Sequence, residues 1–416
     1  MPVISNQYLQ GINQTTGTGA PTHSAVAGDR YTNLATGNTY QYTTSWQQVS
    51  YGAGGLTFFT EAQNTSAPNA TVPVDSLTAI ASTTDADFAI LAKGNGALLA
   101  RIPDNTGTGG NKRGQYALDL SRYIGASGTY IAAGNYDIIL GGTRNSSNTG
   151  NYSFIANGDF NSCTGQYGTI LNGNNNSVVG ARGIVLNGQY SQANAAHSLA
   201  GAGLYNYANG AQSVALCNGT TASGTGSMSI NQGTTASGQN SFAGGNSSTA
   251  SGINSVVFGD LGSANGIRNK FAIGGSGWSV NATQAGIVQL DARTTGATPT
   301  VLDANTANSG GVSAATQFTL PNNSLMRVKG TIQGKQSGST NVGVWDFDAV
   351  LVRGTSASTM TVKIANINVV TNDNAWGTPT ITANTTIGCM TVTVTGIATT
   401  NIQWACRIDS TETLYA

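Results

Sequence analysis

Cutting a glycosidic bond takes two facing carboxylates, about 5.5 Å apart in retaining enzymes and about 6.5–9.5 Å apart in inverting ones. The chain has 416 residues and 17 acidic side chains, and their spacing leaves few such pairs. Asp159 and Asp260 stand in a repetitive stretch about seven repeats apart, roughly 30 Å along a stack of strands. Asp346 and Asp348 share one face of a strand, about 7 Å apart, which is also the pattern of an ordinary wet strand face. His23 and His197 are the only histidines and complete no nucleophilic triad. Gly107-Thr108-Gly109 with Lys112 misses the spacing of a phosphate loop, and no helix follows it. The four cysteines, Cys163, Cys217, Cys389 and Cys406, show no metal-ligand spacing. Cys389 and Cys406 flank a hairpin but fall on different strand faces, so free thiols are expected rather than a bridge. These residues predict no catalytic site, no metal and no cofactor, and hence a protein that is not an enzyme.

Binding chemistry is better represented. Asn372, Asp373, Asn374 and Trp376 lie in a turn-rich segment without strand alternation. An aromatic ring among amide and carboxylate groups suits stacking on a sugar with hydrogen bonds around it. A loop tryptophan folded back as a plug is the alternative. Near the N-terminus, Tyr31, Tyr40, Tyr42 and Trp46 surround a Thr36-Gly37-Asn38 turn. They form either the small core of a hairpin or a docking surface.

The element that must carry these groups is a repeat. Gly150, Gly165, Gly180, Ala195 and Gly210 recur every fifteen residues, and Gly224, Gly238, Gly252 and Gly266 continue every fourteen. Phe154, Ile184, Leu199, Val214, Met228, Phe242 and Val256 keep one column, with Thr169 the polar exception. Ala156, Leu171, Leu186, Leu216, Ile230 and Phe258 keep a second, two residues on, with Gly201 and Gly244 in the gaps. So short a period cannot hold two helices and reads as a β-solenoid of strand, turn, return and turn. About ten coils at the inter-strand spacing make a rod roughly 45–50 Å long.

Composition agrees. Only 8% of residues are charged, the formal net charge is zero and 56 residues are glycine, so the chain has no electrostatic footprint for nucleic acid. No apolar run is long enough for a membrane helix, and Met1-Pro2-Val3-Ile4 opens no secretory signal, from which cytoplasmic synthesis is expected. Several coils offer only Ala, Ser or Gly at core columns, as in Met228-Ser229-Ile230 and Phe242-Ala243-Gly244. A stack this thin buries little by itself, which predicts a homo-oligomer, a homotrimer. The expected divisions are an N-terminal β-hairpin (1–55), an irregular β shoulder (56–121), a parallel β-roll (122–283) beginning with a degenerate coil near Arg122, and a C-terminal antiparallel β-sandwich of jelly-roll type (284–416).

Several segments resemble bacteriophage tail fibres. The pattern Gly28-Asp29-x-Tyr31-x-Asn33-x-x-Thr36-Gly37-x-x-Tyr40-x-Tyr42-x-x-x-Trp46 is similar to segments near their N-termini. Lys112-Arg113-Gly114-Gln115-Tyr116-Ala117-Leu118-Asp119-Leu120 resembles fibres with β-roll shafts. Asn254-Ser255-Val256-Val257-Phe258-Gly259 with Ala264-Asn265-Gly266 resembles the head repeat of trimeric autotransporter adhesins. Leu290-Asp291-Ala292-Arg293 through Leu302, with the closing Trp404 strand, resembles the C-terminal domain of such fibres. The resemblance implies a trimer, attachment to a tail or baseplate protein through the N-terminus (Tyr31, Tyr40, Tyr42, Trp46), and host-surface binding by the distal end. The signal peptide and membrane barrel of an autotransporter adhesin are not found, which favours the phage fibre. A purely structural virion fibre and a polysaccharide-degrading tailspike are the other readings.

Overall fold

The computed structural model describes all residues except 1–4, 10–11, 23, 26, 28, 37, 43–44, 51–58, 65–73, 80–88, 107–109, 122–127, 149, 276–281, 306–311 and 416. His23, Gly37 and the Gly107-Thr108-Gly109 stretch fall outside the described residues. The chain is all-β apart from one 3-10 turn, Ala357–Thr359. No helix among the described residues is long and apolar enough to cross a membrane. Two compact units are present, Met1–Leu91 and Ala92–Ala416.

In the first unit a five-stranded sheet runs in chain order through Ser5–Leu9, Ile12–Gly17, Arg30–Asn33, Thr39–Tyr42 and Trp46–Ser50. The Tyr31 and Tyr40 strands pair antiparallel, and the Tyr31 strand also pairs parallel with Ile12–Gly17. A separate antiparallel pair joins Phe59–Asn64 to Val74–Ala79.

The second unit opens on the solenoid. Its main ladder is parallel and in register through Leu98, Leu118, Ile138, Phe154, Thr169, Ile184, Leu199, Val214, Met228, Phe242, Val256 and Phe271. The ladder thus reaches back to Leu98–Leu99, N-terminal to the start near residue 122. The first rungs are 20, 20 and 16 residues apart, so the fifteen-residue beat does not appear there. Arg122, near which the first coil is expected, lies outside the described residues. A second parallel ladder lines the opposite wall, through Ser162–Cys163, Ser177–Val178, Gln192–Ala193, Tyr207–Ala208, Thr221–Ala222, Thr235–Ala236 and Thr249–Ala250.

Strand alternation decides what fills the coil. The inward residues are those between the two apolar columns: Ile139, Ile155, Ile170, Val185, Ala200, Ala215, Ser229, Ala243, Val257 and Ala272, all fully buried. Opposite them stand Cys163, Val178 and then a run of alanines from Ala193 to Ala250. The apolar columns themselves point outward, leaving Leu120, Leu140, Leu171, Ile184, Met228, Phe258 and Ile273 exposed along one face. At the turns a buried amide ladder satisfies backbone groups. Asn161 Nδ2 donates to Gly173 O (3.0 Å), its Oδ1 accepts from Asn176 N (3.1 Å), and Asn176 Nδ2 donates to Gly188 O (2.7 Å). The glycine column is required by close approach, since a Cβ at Gly210, Gly224 or Gly238 would collide with a carbonyl of the next coil.

The last rung, Phe271–Gly274, pairs antiparallel with Thr283–Thr294 and so hands the solenoid sheet to the C-terminal region. Long antiparallel strands follow in the order Thr283–Thr294, Ile402–Leu414, Ser324–Gln336, Val342–Arg353, Thr361–Asn372. A smaller sheet of Pro299–Val301, Cys389–Thr395, Phe318–Thr319 and Thr380–Asn384 shares one apolar core with it, around Trp345, Trp404, Phe318, Leu290 and Val392. The long strands thus continue the solenoid sheet as an open sheet, ending in an up-and-down run, in place of a separate jelly roll. Turning the ladder from parallel to antiparallel covers the last solenoid rung, Phe271–Gly274, with Thr283–Thr294.

A buried ion pair fixes that junction. One interior column runs Ser198, Ser213, Ser227, Ser241, Ser255, and the final coil places Lys270 there. Lys270 Nζ lies 2.8 Å from Glu412 Oε1, both side chains buried. Glu412 also accepts from Gln284 Nε2 (2.5 Å) and Ser410 Oγ (2.7 Å), and Gln284 in turn bonds the Ser263 backbone through both its amide atoms. Burial pushes the Lys270 amine down, and Glu412 opposes that shift.

Candidate functional site

The Trp376 loop closes on itself. Asn372 Oδ1 accepts from Trp376 N (2.8 Å) while its Nδ2 donates to Trp376 O (2.9 Å). Asp373 Oδ2 accepts from Val342 N (3.0 Å), and exposed Asn374 donates to Gln336 Oε1 (3.2 Å). Trp376 is only 3% exposed and lies edge-on to Trp404, ring centroids 5.4 Å apart. Two glycines paired across neighbouring strands, Gly334 and Gly343, make the slot: a Cβ at either would lie 2.6 or 2.9 Å from the Trp376 ring. Sugar stacking by Trp376 is therefore corrected; the ring is a plug whose faces are already covered. Of the four residues Asp373 and Asn374 are exposed. Next to Asn374 a concavity of about 300 Å³ is lined by Gln333, Lys335, Val342, Val344, Gln403 and Trp404.

At the N-terminus, Tyr31 is buried, with ring centroids 6.3 Å from Tyr40 and 6.1 Å from Trp46, and Tyr42 meets Trp46 edge-on at 5.5 Å. Tyr40, Tyr42 and Trp46 are half-buried. One aromatic cluster supplies the core of this small sheet and leaves part of three rings at its surface.

The carboxylates weighed from the sequence are all engaged. Asp159 pairs with Arg144 and accepts from Thr143, which together hold it below the usual carboxylate range against the effect of burial. Asp260 accepts from Asn246 (2.8 Å), and Asp346 accepts from Thr331 (2.8 Å). Asp348 is bound by Arg327 at 2.6 Å, whose hydrogen bond and charge lower its pKa. Arg113, half of the basic pair Lys112-Arg113, is buried against Asp119 at 2.7 Å.

A different pair does face each other. Asp291 and Asp303 sit opposite across an antiparallel bridge and exchange both backbone hydrogen bonds, 2.8 and 3.1 Å. Residues paired this way send their side chains to one side of the sheet. Asp303 is 4% exposed and accepts from Asn305 N (2.8 Å), while Asp291 is half-buried. Burial, and next the Asp303 charge, raise the Asp291 pKa. Two facing carboxyls, one of them raised as Asp291 is, are what acid–base work on a glycosidic bond would use. The signal in the sequence was the tripeptide Leu-Asp-Ala, present at both Leu290–Ala292 and Leu302–Ala304.

Because the folded state favours protonated Asp291, its contribution to stability is complete below the ordinary carboxyl pKa. That contribution is lost as pH rises through the raised value. Melting followed from pH 3 to 7 should show this loss in the native chain, and Asp291→Asn should flatten that part of the profile. An unchanged profile in the variant would mean that folding does not raise the Asp291 pKa.

The four cysteines are free, and burial pushes Cys163, Cys389 and Cys406 each up to about 12. Cys389 and its neighbour Met390 are both buried. Among the described residues no three His, Cys, Asp or Glu side chains converge as a metal site.

No protein-family model matches the sequence, and no curated protein matches it. Solved structures do. One is a tailspike protein, gp49 of Acinetobacter baumannii bacteriophage Fri1, described as a capsular polysaccharide depolymerase: 11% identity, TM-score 0.21, 68% of this chain and 58% of that one. Another is the tailspike protein of Acinetobacter phage vB_ApiP_P1: 9% identity, TM-score 0.20, 72% of this chain and 59% of that one. The chain spans less than two thirds of either neighbour's length. At these values no residue role passes from them to this chain. The expectation that the protein is not an enzyme is nonetheless corrected, since a chain it is similar to is described as a depolymerase.

Proposed function

We propose that the chain is a homotrimeric bacteriophage tail fibre of the tailspike kind. Its N-terminal unit docks on another tail or baseplate protein through the partly exposed rings of Tyr40, Tyr42 and Trp46. Its rod and C-terminal sheets engage a polysaccharide of the host surface. One observation carries this reading: a long solenoid whose outward face bears two columns dominated by apolar residues, from Leu118 and Leu120 to Phe271 and Ile273, interrupted only by Thr169, Gly201 and Gly244. Exposed apolar area of that extent calls for a partner, and a straight, repeating face is best matched by further copies of itself. Adsorption of the labelled full-length protein to capsulated bacteria and to their acapsular mutants tests the host-surface part. Binding that disappears with the capsule supports it. Binding to no cell type favours a purely structural virion fibre.

Cleavage of that polysaccharide is the second reading, favoured by the Asp291–Asp303 pair. Full-length protein incubated with purified capsule would release reducing ends. Asp291→Asn and Asp303→Asn should each abolish the release while leaving adsorption intact. Release undiminished in both variants removes the pair from any such role.

A further inference from the structure

The turn two residues before each main-ladder strand from Leu118 onward holds one column of left-handed residues: Tyr116, Tyr136, Tyr152, Tyr167, Arg182, His197, Gln212, Gly226, Asn240, Asn254 and Asn269, with φ between 53° and 66°. The late coils use Gly and Asn, the residues that accept this conformation most readily. The early coils place tyrosine there four times in succession. The turn itself does not ask for a ring, and the backbone is strained to present one.

The four rings stand in register at centroid spacings of 4.9, 4.8 and 5.1 Å, nearly parallel, and each is 43–46% exposed. Their faces cover one another, so a sugar cannot stack on them. What they offer outward is their edges and hydroxyls. An aromatic edge is the electropositive part of the ring, and a phenol both donates and accepts. The strip has a cation at each end. Arg182 lies over the Tyr167 ring at 5.3 Å, and at the other end Lys112 lines a cavity of about 390 Å³ with Asn95, Gly96, Gly114 and Gln115. Tyr116 Oη donates to Asn95 Oδ1 (2.5 Å), joining the cavity to the strip. Neither Lys112 nor Arg182 forms an ion pair among the described residues, and both are exposed. The acids closest along the coils are occupied: Asp119 and Asp137 are buried, and Asp159 holds Arg144.

We infer that the Lys112–Tyr116–Tyr136–Tyr152–Tyr167–Arg182 strip binds an extended acidic polysaccharide lying along the rod. One phenol per coil meets about one sugar unit per coil, ring edges and hydroxyls take the sugar oxygens, and the terminal cations take carboxylates. A guanidinium is suited to a carboxylate by its paired donors. The inference rests on the host-polysaccharide reading for its ligand class, and it moves recognition from the Trp376 loop to the shaft.

The test uses full-length protein, polygalacturonate as the acidic probe and dextran as the neutral one. Tyr136→Asn/Tyr152→Asn is the informative variant, because Asn already serves this column at Asn240 and Asn254 and should leave the fold intact; Arg182→Gln is the second. The wild type should retain polygalacturonate in affinity electrophoresis, weakened by salt, and should not retain dextran. Each variant should bind about tenfold more weakly. In unliganded protein the four tyrosines should be open to nitration and become protected by the probe. Equal binding by variants and wild type overturns the strip, as does failure of the wild type to bind polygalacturonate. Retention of dextran alone overturns the acidic class and leaves the host-polysaccharide reading standing. Tyrosines closed to nitration without ligand would place another copy of the chain over the strip, and that also overturns it. The adsorption experiment on capsulated cells decides the host reading independently of all four outcomes.

Discussion

Glu412→Gln should lower the stability of the C-terminal region by about 3–5 kcal/mol, the cost of leaving one member of a buried ion pair without its counter-charge. Lys270 would then stand fully buried at the end of the serine column with no anion, and because a Gln amide keeps only one acceptor oxygen, either Gln284 or Ser410 would face an NH2 donor where it now finds an acceptor. The replacement keeps the shape of the side chain, so the loss reports charge and hydrogen bonding and not packing. The double variant Lys270→Met/Glu412→Leu should recover much of it, since removing both members also removes the desolvation cost. The readout is the denaturant midpoint of tryptophan fluorescence, which follows the Trp345–Trp376–Trp404 cluster. If the single and double variants lose stability equally, the pair does not hold the last coil to the closing strand.

Trp376→Ala should cost a similar amount, about 3–5 kcal/mol, as for a large ring removed from a packed site. The slot it vacates is floored by Gly334 and Gly343, which carry no side chain to collapse into the space. The same variant should adsorb to capsulated cells as the native protein does, at temperatures where both are folded. Lost adsorption with unchanged stability would restore Trp376 as a ligand contact. These two outcomes separate a plug from a binding residue, which burial alone makes a plug.

The contrast between the two sites shows what a sequence of this kind carries. Its period was legible because in-register stacking forces equivalent residues to recur, and the recurrence of Phe154, Ile184, Leu199 and Val214 survives the drop from fifteen residues to fourteen. The side to which those residues point was harder to read. In a coil this narrow the interior accepts Ala200, Ala215 or Ser229, so the largest apolar side chains lie outside, and their size marks a surface to be covered. The early coils were hidden because their long turns break the beat between Leu98 and Ile138. Trp376 carried a signal that goes with a partner strand: its slot is written as Gly334 and Gly343, which meet only once the hairpin register is known. Asp291 and Asp303 were within reach through their shared Leu-Asp-Ala context. The irregular segment between them gave no reason to fold one onto the other.

Light scattering on the full-length protein tests the account most directly, because the outward apolar columns have no other covering in a single chain. The account predicts a mass three times the 42.2 kDa of one chain, and conversion to smaller species when charge is placed on the columns by Leu171→Asp/Met228→Asp. A wild-type mass of one chain, with the columns left open to water, would contradict it.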